Sequence, residues 1–393
     1  ISEHEKRALC ALIYYPDERI RWVQQHGLDH EALPFSQPTL DDWYTRRIHQ
    51  ILNITRGVSV KYTRSKVRKM LPHNFAYIIE ELLHESSIEN DRARYFQSIV
   101  RGIIATGRAE QLVIAISYLI HNLAIDTWHI VGDIFDRGPG AAKILEVLST
   151  VRDYDIQWGN HDIVWMGAAT GNLSCITNVL RMNISYNNFD MLEVGYGINL
   201  RPLATFAEKV YADDPCEFFK PHMLEVNKFD QVPEALAAKM HKAIAMIQFK
   251  VEGQRIMAHP EYKLEKRLLL DKINLEKGTV EVEGVEWPMR DTNFPTLDPA
   301  DPYKLTEEES ELLNALEASF LNSEKLQRHI NFLFSHGALY TVFNGNLMYH
   351  GCIPMTEEGE FEYVELNGAR LRGKELMDYL DDQVRKAYFI PKK

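Results

Sequence analysis

Two short polar segments, each placed directly after an apolar run, constrain the fold of this chain more than any other feature. The first is Gly-Asp-Ile-Phe-Asp-Arg-Gly-Pro-Gly, residues 132–140, which follows the apolar run 125–131. The second is Gly-Asn-His-Asp, residues 159–162, which follows the run 154–158. Apolar runs that end abruptly in polar residues are typical of buried parallel strands, and residues 141–148 have the spacing of a crossover helix. The pattern predicts an α/β fold in which both segments lie at the carboxyl edge of one sheet.

The side chains in these segments are those that metal-assisted phosphoryl transfer needs. The carboxylate of Asp133 can bind two divalent ions, and two ions roughly 3.5–4 Å apart activate a water and hold a phosphate. The amide oxygen of Asn160 offers a further ligand without adding negative charge. His161 is placed to protonate the leaving oxygen, and Asp136 is the carboxylate that would hold its tautomer. The planar guanidinium of Arg137 matches two phosphate oxygens.

Either segment alone has a plainer interpretation, a surface ion pair for the first and a turn for the second. Both together, in this order, favour a phosphatase site. They resemble the ligand loops of the calcineurin-like metallophosphatase superfamily, Gly-Asp-x-x-Asp-Arg-Gly and Gly-Asn-His-Asp/Glu. A third element of that superfamily, a His-Gly pair after a later strand, is matched by His350-Gly351, although a core histidine is the alternative there. His259 resembles another strand end and is a second candidate for this ligand.

Longer strings narrow the resemblance to one branch, the class III fructose-1,6-bisphosphatases of Firmicutes-type bacteria. These strings are residues 61–66, 155–162, 196–203, 243–250 and 344–347, so the similarity spreads over most of the chain. The resemblance implies hydrolysis of fructose 1,6-bisphosphate to fructose 6-phosphate and phosphate, a step of gluconeogenesis. It also implies an α/β fold with a calcineurin-like metallophosphatase core. In that core two packed mixed β-sheets are flanked by helices, with a large N-terminal helical insertion.

The same resemblance implies the cofactor and the mechanism. Asp133, Asn160 and His350 would hold divalent metal, two manganese ions, because carboxylate, amide and imidazole ligands suit Mn²⁺. A metal-bound hydroxide would attack phosphorus in line with the departing sugar oxygen. Arg137 would hold phosphate oxygens while His161 protonates the departing alkoxide.

Some loops that the resemblance implies are missing from the chain. The superfamily site begins with an Asp-x-His pair, and neither Asp29-His30 nor the pair Asp126 and His129 has that spacing. A later Gly-His loop is also expected, and none follows His350. Since the chain begins with Ile1, we expect it to be the middle of a longer protein.

Four segments are predicted along the chain. Residues 1–125 read as helical, ending in one long helix over 92–124, and are expected to be an insertion that caps the site. Residues 126–230 are the expected first half of the metallophosphatase core. Residues 231–335 read as helices with a small β-hairpin excursion and a loop. Residues 336–393 are the expected second half of the core, with the His350 hairpin and a C-terminal helix.

Three basic residues are candidates for binding substrate phosphate. Lys61 and Arg64 belong to the densest basic cluster of the chain, which continues with Lys66, Arg68 and Lys69. A solvated helix face is the simplest interpretation of that cluster, and capture of a phosphate from substrate or a regulatory ligand is the alternative. Arg201 precedes a predicted helix, where a phosphate contact and a structural salt bridge are both open.

Charge and cysteine content indicate the kind of partner. A net charge of −12 without an arginine-rich tract argues against nucleic-acid binding. The most apolar run, 112–120, is too short to span a bilayer, so no membrane is expected. Four scattered cysteines without a Cys-x-x-Cys motif indicate reduced thiols and a cytoplasmic location. The expected partner is a small sugar phosphate, and a homo-oligomer is left open.

Two other functions are compatible with the same motifs. A protein serine/threonine phosphatase shares the ligand loops and would be favoured by a flat, open metal cleft with an acidic groove. A regulatory or scaffold module with an incomplete metal site is the second alternative. An Asp-x-His pair upstream of Ile1 in the parent protein would argue against the scaffold.

Overall fold

The computed structural model describes residues 2–28, 37–84, 90–151, 153–222 and 232–390. The chain divides into two units, Ile1–Trp128 and His129–Lys393. The first is helical, and the second combines helices with small parallel and antiparallel sheets. The expected mixed α/β class is therefore confirmed.

The described residues of the first unit are mainly helical. The helices are α1 Glu3–Tyr14, α2 Pro16–His26, α3 Leu40–Ser59, α4 Arg64–Met70, α5 Ala76–His84, α6 Asn90–Ala105 and α7 Ala109–Ala124. The single helix predicted over 92–124 is wrong, because the chain turns between α6 and α7. Gly107 has φ +70° at that turn, a left-handed conformation that favours glycine and ends a helix.

The core of the first unit lies between α3 and α7. Apolar residues at three- and four-residue spacing on α7, such as Leu112 and Ile116, are fully buried against Ile48 and Ile51 of α3. In the described part of the chain, no single helix is long and apolar enough to cross a membrane. Residues Arg94–Ala105 and α7 reach that length and composition only as a pair, bent by 116°.

The second unit alternates helices with short strands. Its helices are α8 Ala141–Leu148, α9 Asn160–Ala169, α10 Leu173–Ser185, α11 Arg201–Val210, α12 Glu234–Ala258, α13 Glu307–Leu321, α14 Glu324–His336 and α15 Gly373–Phe389. The strands are β1 Trp128–Ile130, β2 Tyr154–Gln157, β3 Ile273–Asn274, β4 Thr279–Val282, β5 Val285–Pro288, β6 Gly337–Ala338, β7 Tyr340–Phe343, β8 Asn346–Tyr349, β9 Val364–Leu366 and β10 Ala369–Leu371. The crossover helix between β1 and β2 has the predicted bounds.

The sheet that positions the site has the strand order β1-β2-β6. β2 and β6 are parallel, with Ile156 opposite Gly337 and Gln157 opposite Ala338. Strands β3-β4-β5, β7-β8 and β9-β10 form separate antiparallel sheets. Within the described ranges a second mixed sheet is not found, so the two-sheet core is not established by this chain.

The long helix α12 runs through the interior of the second unit. Its apolar residues, including Ala243, Ile244 and Ile247, are buried against α10 and α11. Two lysines on this helix, Lys242 and Lys250, are also fully buried. Buried lysines need anionic partners, and the segment that follows β5 supplies some of them.

Candidate metal centre

The loop after β1 and the loop after β2 pass each other in direct contact. Gly132 has φ +74°, and a Cβ at this position would lie 2.5 Å from the amide nitrogen of Gly159. A Cβ on Gly159 would overlap the carboxylate of Asp133. Asp133 itself has φ +53°, a left-handed conformation that is uncommon for a residue with a side chain. The two glycines therefore allow the loops to bring Asp133 against the start of α9.

Asp162 fastens the two loops together. Its side chain is fully buried and accepts hydrogen bonds from the backbone N–H groups of Asp133 (2.8 Å), Phe135 (3.2 Å) and Gly159 (2.9 Å). Burial raises the pKa of Asp162, and the N–H donors act in the opposite direction. This positioning role was missed from the sequence, where Asp162 counted only as the last residue of a motif. The available signal was that the backbone N–H groups of two adjoining loops need hydrogen-bond acceptors, which a carboxylate can supply.

Asp133 and His350 lie side by side at the edge of the sheet. The Nε2 of His350 is 3.1 Å from Oδ2 of Asp133, and its Nδ1 is 2.8 Å from the carbonyl oxygen of Val131. Since a carbonyl only accepts, Nδ1 carries a proton. The Nε2 then faces the carboxylate of Asp133, where the two groups can share a cation. This is the usual arrangement of a histidine ligand held through its other nitrogen.

Asp136 and His161 form the second half of the cluster. The Nε2 of His161 lies 3.1 Å from Oδ1 of Asp136, and Nε of Arg137 lies 3.4 Å from the same oxygen. Neither contact has hydrogen-bond geometry, so this buried oxygen has no hydrogen-bond partner. Ligand atoms of Asp133, Asp136 and His161 all lie within 4.8 Å of one another. Such converging oxygen and imidazole donors, with one orphaned buried oxygen, fit a divalent cation.

Arg137 is held by contacts on both its backbone and its side chain. Its carbonyl oxygen accepts a hydrogen bond from Nδ2 of Asn188 at 2.6 Å, and its φ is +46°. The guanidinium lies over the ring of Tyr186, 5.3 Å from the ring centroid, and the side chain is 57% exposed. A guanidinium that is stacked on one face and open at its edge is available to an anion.

Other predicted site residues occupy less enclosed positions. Asn160 is exposed at the first position of α9, one residue before His161. Arg201 is exposed at the first position of α11, and its backbone N–H donates to Oδ1 of Asn199 at 3.1 Å. His259 caps the end of α12 and pairs with Glu261 at 2.8 Å. The expectation of a strand end at His259 is therefore wrong.

Lys61 and Arg64 lie in the helical unit. The Nζ of Lys61 donates to the carbonyl oxygen of Ala124 at 3.2 Å, and Arg64 is exposed at the first position of α4. The basic cluster is thus partly used to hold the end of α7. Its binding of substrate phosphate stays a prediction.

The close passage of the two loops predicts that Gly159→Ala weakens metal binding. The added Cβ would overlap the Asp133 carboxylate, so this candidate ligand would have to move. We expect the affinity of the metal-stripped whole protein for Mn²⁺ to fall about 10- to 100-fold, as when supporting contacts of a ligand are lost. Calorimetric titration with Mn²⁺ measures this. Gly57→Ala is the matched control, because no atom lies within 4 Å of its added Cβ. Unchanged affinity in Gly159→Ala would contradict the proposed crowding.

Comparison with known proteins places the chain in a family. The chain matches the family model described as Firmicute fructose-1,6-bisphosphatase over residues 1–393. It is 50% identical over 390 residues to the fructose-1,6-bisphosphatase class 3 of Clostridium novyi, covering 99% of this chain and 57% of that protein. Identity and coverage are the same for the fructose-1,6-bisphosphatase class 3 of Bacteroides thetaiotaomicron.

The chain thus spans 57% of the length of these curated relatives. No solved structure matches it significantly. The family match extends from the first residue to the last and so includes the loops after β1 and β2 and His350. The chain belongs to the Firmicute fructose-1,6-bisphosphatase family.

Proposed function

We propose that the whole protein hydrolyses fructose 1,6-bisphosphate to fructose 6-phosphate and phosphate. Family membership supports the reaction, and one structural observation supports the site. Asp133, Asp136 and His161 bring their oxygen and nitrogen atoms within 4.8 Å of one another, around an Asp136 oxygen without a hydrogen-bond partner. A cluster of this composition suits a metal-dependent phosphatase.

The residues that would hold the metal are Asp133, His350 and Asn160. Carboxylate, imidazole and amide donors suit Mn²⁺, the ion we propose. When bound, two such ions would lower the pKa of a coordinated water and neutralise charge on the phosphate. The protein's own contribution is to hold Asp133 through the contacts of Asp162 and Gly159, so that the ligand is preorganised.

Arg137 and His161 would act directly on the substrate. Arg137 presents its stacked guanidinium edge to phosphate oxygens, which a planar fork can bind in pairs. His161 would donate its ring proton to the sugar oxygen that leaves phosphorus. Asp136, whose Oδ1 lies 3.1 Å from Nε2 of His161, would orient that ring. Arg201 is proposed as a further phosphate contact from its exposed place at the start of α11.

The domain plan is part of the same proposal. Residues 126–230 and 336–393 would form the two halves of a calcineurin-like core with two packed mixed sheets. The parallel pairing of β2, from the first half, with β6, from the second, supports this division. Residues 1–125 would be the helical insertion, and residues 231–335 the helical segment with the β excursion.

The substrate is tested by measuring phosphate release from the whole protein. We expect Mn²⁺-dependent release from fructose 1,6-bisphosphate at least about 100-fold faster than from a phosphoserine peptide, because a hydrogen-bonding sugar site discriminates strongly. The two substrates are assayed with and without added Mn²⁺, and a chelated sample is the control. Faster release from the peptide would move the function to protein dephosphorylation. No release from either would favour the regulatory or scaffold module.

A further inference from the structure

The end of α10 contacts the loop of Arg137, although it lies outside both sequence motifs. Nδ2 of Asn188 donates to the carbonyl oxygen of Arg137 at 2.6 Å, and Asn188 is only 5% exposed. Two residues earlier, the ring of Tyr186 lies under the Arg137 guanidinium, with 5.3 Å between the ring centroid and the guanidinium carbon. One short segment therefore contacts both the backbone and the side chain of the arginine that we propose to bind phosphate.

The backbone of Arg137 has an uncommon conformation that needs support. Its φ is +46°, and the N–H of Gly138 donates to the carbonyl oxygen of Asp136, which closes a three-residue turn around Arg137. Three-residue turns with a positive φ are rare and strained for a residue with a side chain. Such a conformation persists only where the surrounding structure holds it. The hydrogen bond from Asn188 is a contact of that kind.

Asn188 is itself fixed by the way in which α10 ends. Asn187 has φ +58°, and its backbone N–H donates to the carbonyl oxygen of Ile184 at 3.1 Å. The backbone N–H of Asn188 donates to the carbonyl oxygen of Asn183 at 2.8 Å. A left-handed residue followed by this pair of hydrogen bonds is a Schellman motif, which ends a helix in one defined geometry. The Asn188 side chain therefore starts from a fixed backbone.

The direction in which the Arg137 side chain leaves the loop decides where its guanidinium lies. The side chain is 57% exposed, and its Nε lies 3.4 Å from Oδ1 of Asp136 without hydrogen-bond geometry. A long arginine side chain has much rotamer freedom when it is exposed. A change of φ at Arg137 would redirect its Cα–Cβ bond and move the guanidinium away from the Tyr186 ring. Control of the backbone is thus control of the guanidinium.

We propose that Asn188 is a positioning residue for Arg137. This inference rests on the proposed function, in which Arg137 binds the phosphate that leaves the sugar. Asn188 acts through the loop backbone and not by touching the substrate. With its hydrogen bond, the guanidinium edge meets two phosphate oxygens as a planar fork. Without it, the turn can relax, and a misplacement of about 1 Å at such a contact costs roughly 100-fold in rate.

The test is a double-mutant cycle in the whole protein with Asn188→Ala, Arg137→Ala and the double variant. We expect Asn188→Ala alone to lower kcat/KM for fructose 1,6-bisphosphate about 10- to 100-fold, because Arg137 is misplaced. In the Arg137→Ala background the same substitution should change kcat/KM by less than about twofold, since no guanidinium is left to position.

Two further measurements separate positioning from a general loss of structure. The inhibition constant for inorganic phosphate should rise in Asn188→Ala and in Arg137→Ala, and should rise no further in the double variant. The Mn²⁺ content of Asn188→Ala, from elemental analysis, should be unchanged, because the backbone of Asp133 is held by Asp162. A variant that keeps its metal and loses phosphate affinity has a folded site with a misplaced arginine.

Thr177→Ala is the matched control on the same helix. The Thr177 hydroxyl is buried and donates to the carbonyl oxygens of Leu173 and Ser174, both on α10. Its removal therefore takes a buried side-chain hydrogen bond from α10 without affecting the contact with Arg137. We expect kcat/KM and phosphate inhibition to stay at the values of the unaltered protein.

Two results would overturn the inference. One is a double variant in which the two losses multiply, because Asn188 would then act independently of Arg137. The other is a loss in Thr177→Ala as large as that in Asn188→Ala. A failure of the proposed function is distinct from both, since the unaltered protein would then release no phosphate from fructose 1,6-bisphosphate, and the inference would fall with it.

Discussion

Replacement of Asp133 by Asn is expected to lower turnover of fructose 1,6-bisphosphate by about 10³-fold, the scale seen when a preorganised electrostatic contact is removed. The amide keeps the size of the side chain but loses the negative charge. It also places an NH₂ group either toward the backbone N–H of His161, whose nitrogen is now 3.2 Å from Oδ1, or toward Nε2 of His350, now 3.1 Å from Oδ2. We therefore expect Mn²⁺ content, measured by elemental analysis of the whole protein, to fall together with turnover.

His161→Ala is the informative comparison in the same experiment. If His161 donates a proton, this variant loses turnover by about 10²- to 10⁴-fold while it keeps its Mn²⁺. Loss of metal as well would make His161 a ligand, which its position in the cluster with Asp133 and Asp136 also allows. Asp213→Asn is the matched control, since Asp213 is exposed in the same unit. Normal Mn²⁺ content and turnover in Asp133→Asn would contradict the proposed ligand.

The ends of the first two strands were predictable from sequence because two signals coincide there. Each apolar run stops at a glycine, and the polar residues that follow have carboxylate, guanidinium, amide and imidazole side chains, which suit metal and phosphate binding. The crossover helix α8 lies where its helical spacing predicts, at Ala141–Leu148. The hairpin β7-β8 was also predictable from its Asn344-Gly345 dipeptide, which favours a tight turn. In the structure these two residues have φ +50° and +76°.

The third strand of the same sheet had no such signal. Strand β6 is only Gly337–Ala338, too short for any periodicity. Its position depends on a close approach instead, because a Cβ on Gly337 would overlap Nε1 of Trp158 and lie 2.6 Å from the carbonyl oxygen of Leu333. Contacts between residues so distant in sequence leave no local pattern. The role of Asp162 was hidden for the same reason, since two of its three N–H partners belong to the other loop.

The buried lysines of α12 were a further feature that sequence patterns did not reveal. Periodicity predicts that a lysine lies on a solvated face, yet Lys242 and Lys250 have no exposed surface. Lys242 contacts Asp291 at 2.7 Å and also pairs with Asp214. The partners come from segments before and after the helix, so only the folded chain brings them together. The ion pairs of Lys242 with Asp291 and of Lys250 with Glu309 attach residues 291–309 to α12 in the centre of the unit.

The ion pair between Lys250 and Glu309 is the one whose loss we expect to destabilise the protein most. The Lys250 Nζ lies 2.8 Å from Oε2 of Glu309 and donates to the carbonyl oxygen of Thr296 at 2.6 Å. Glu309 is fully buried, and the same Oε2 accepts the backbone N–H of Thr306 in the capping box of α13. Lys250→Met would leave that carboxylate buried without a cation, which costs about 3–5 kcal/mol of unfolding free energy. Urea unfolding of the whole protein, followed by tryptophan fluorescence, measures the loss.

The double variant Lys250→Met with Glu309→Gln separates the charge from the packing. A neutral amide needs no cation and can still accept the Thr306 N–H, so we expect most of the lost stability to return. Lys209→Met is the matched control, because Lys209 forms an exposed ion pair with Glu308, the neighbour of Glu309 on α13. We expect this substitution to change the unfolding free energy by less than about 1 kcal/mol. A Lys250→Met cost no larger than this control would mean that the buried pair contributes nothing. Phe320 of α13 lies against Trp165 of α9, the helix that contains His161 in its first turn. Loss of the Lys250–Glu309 pair should therefore also loosen the packing beneath the metal centre.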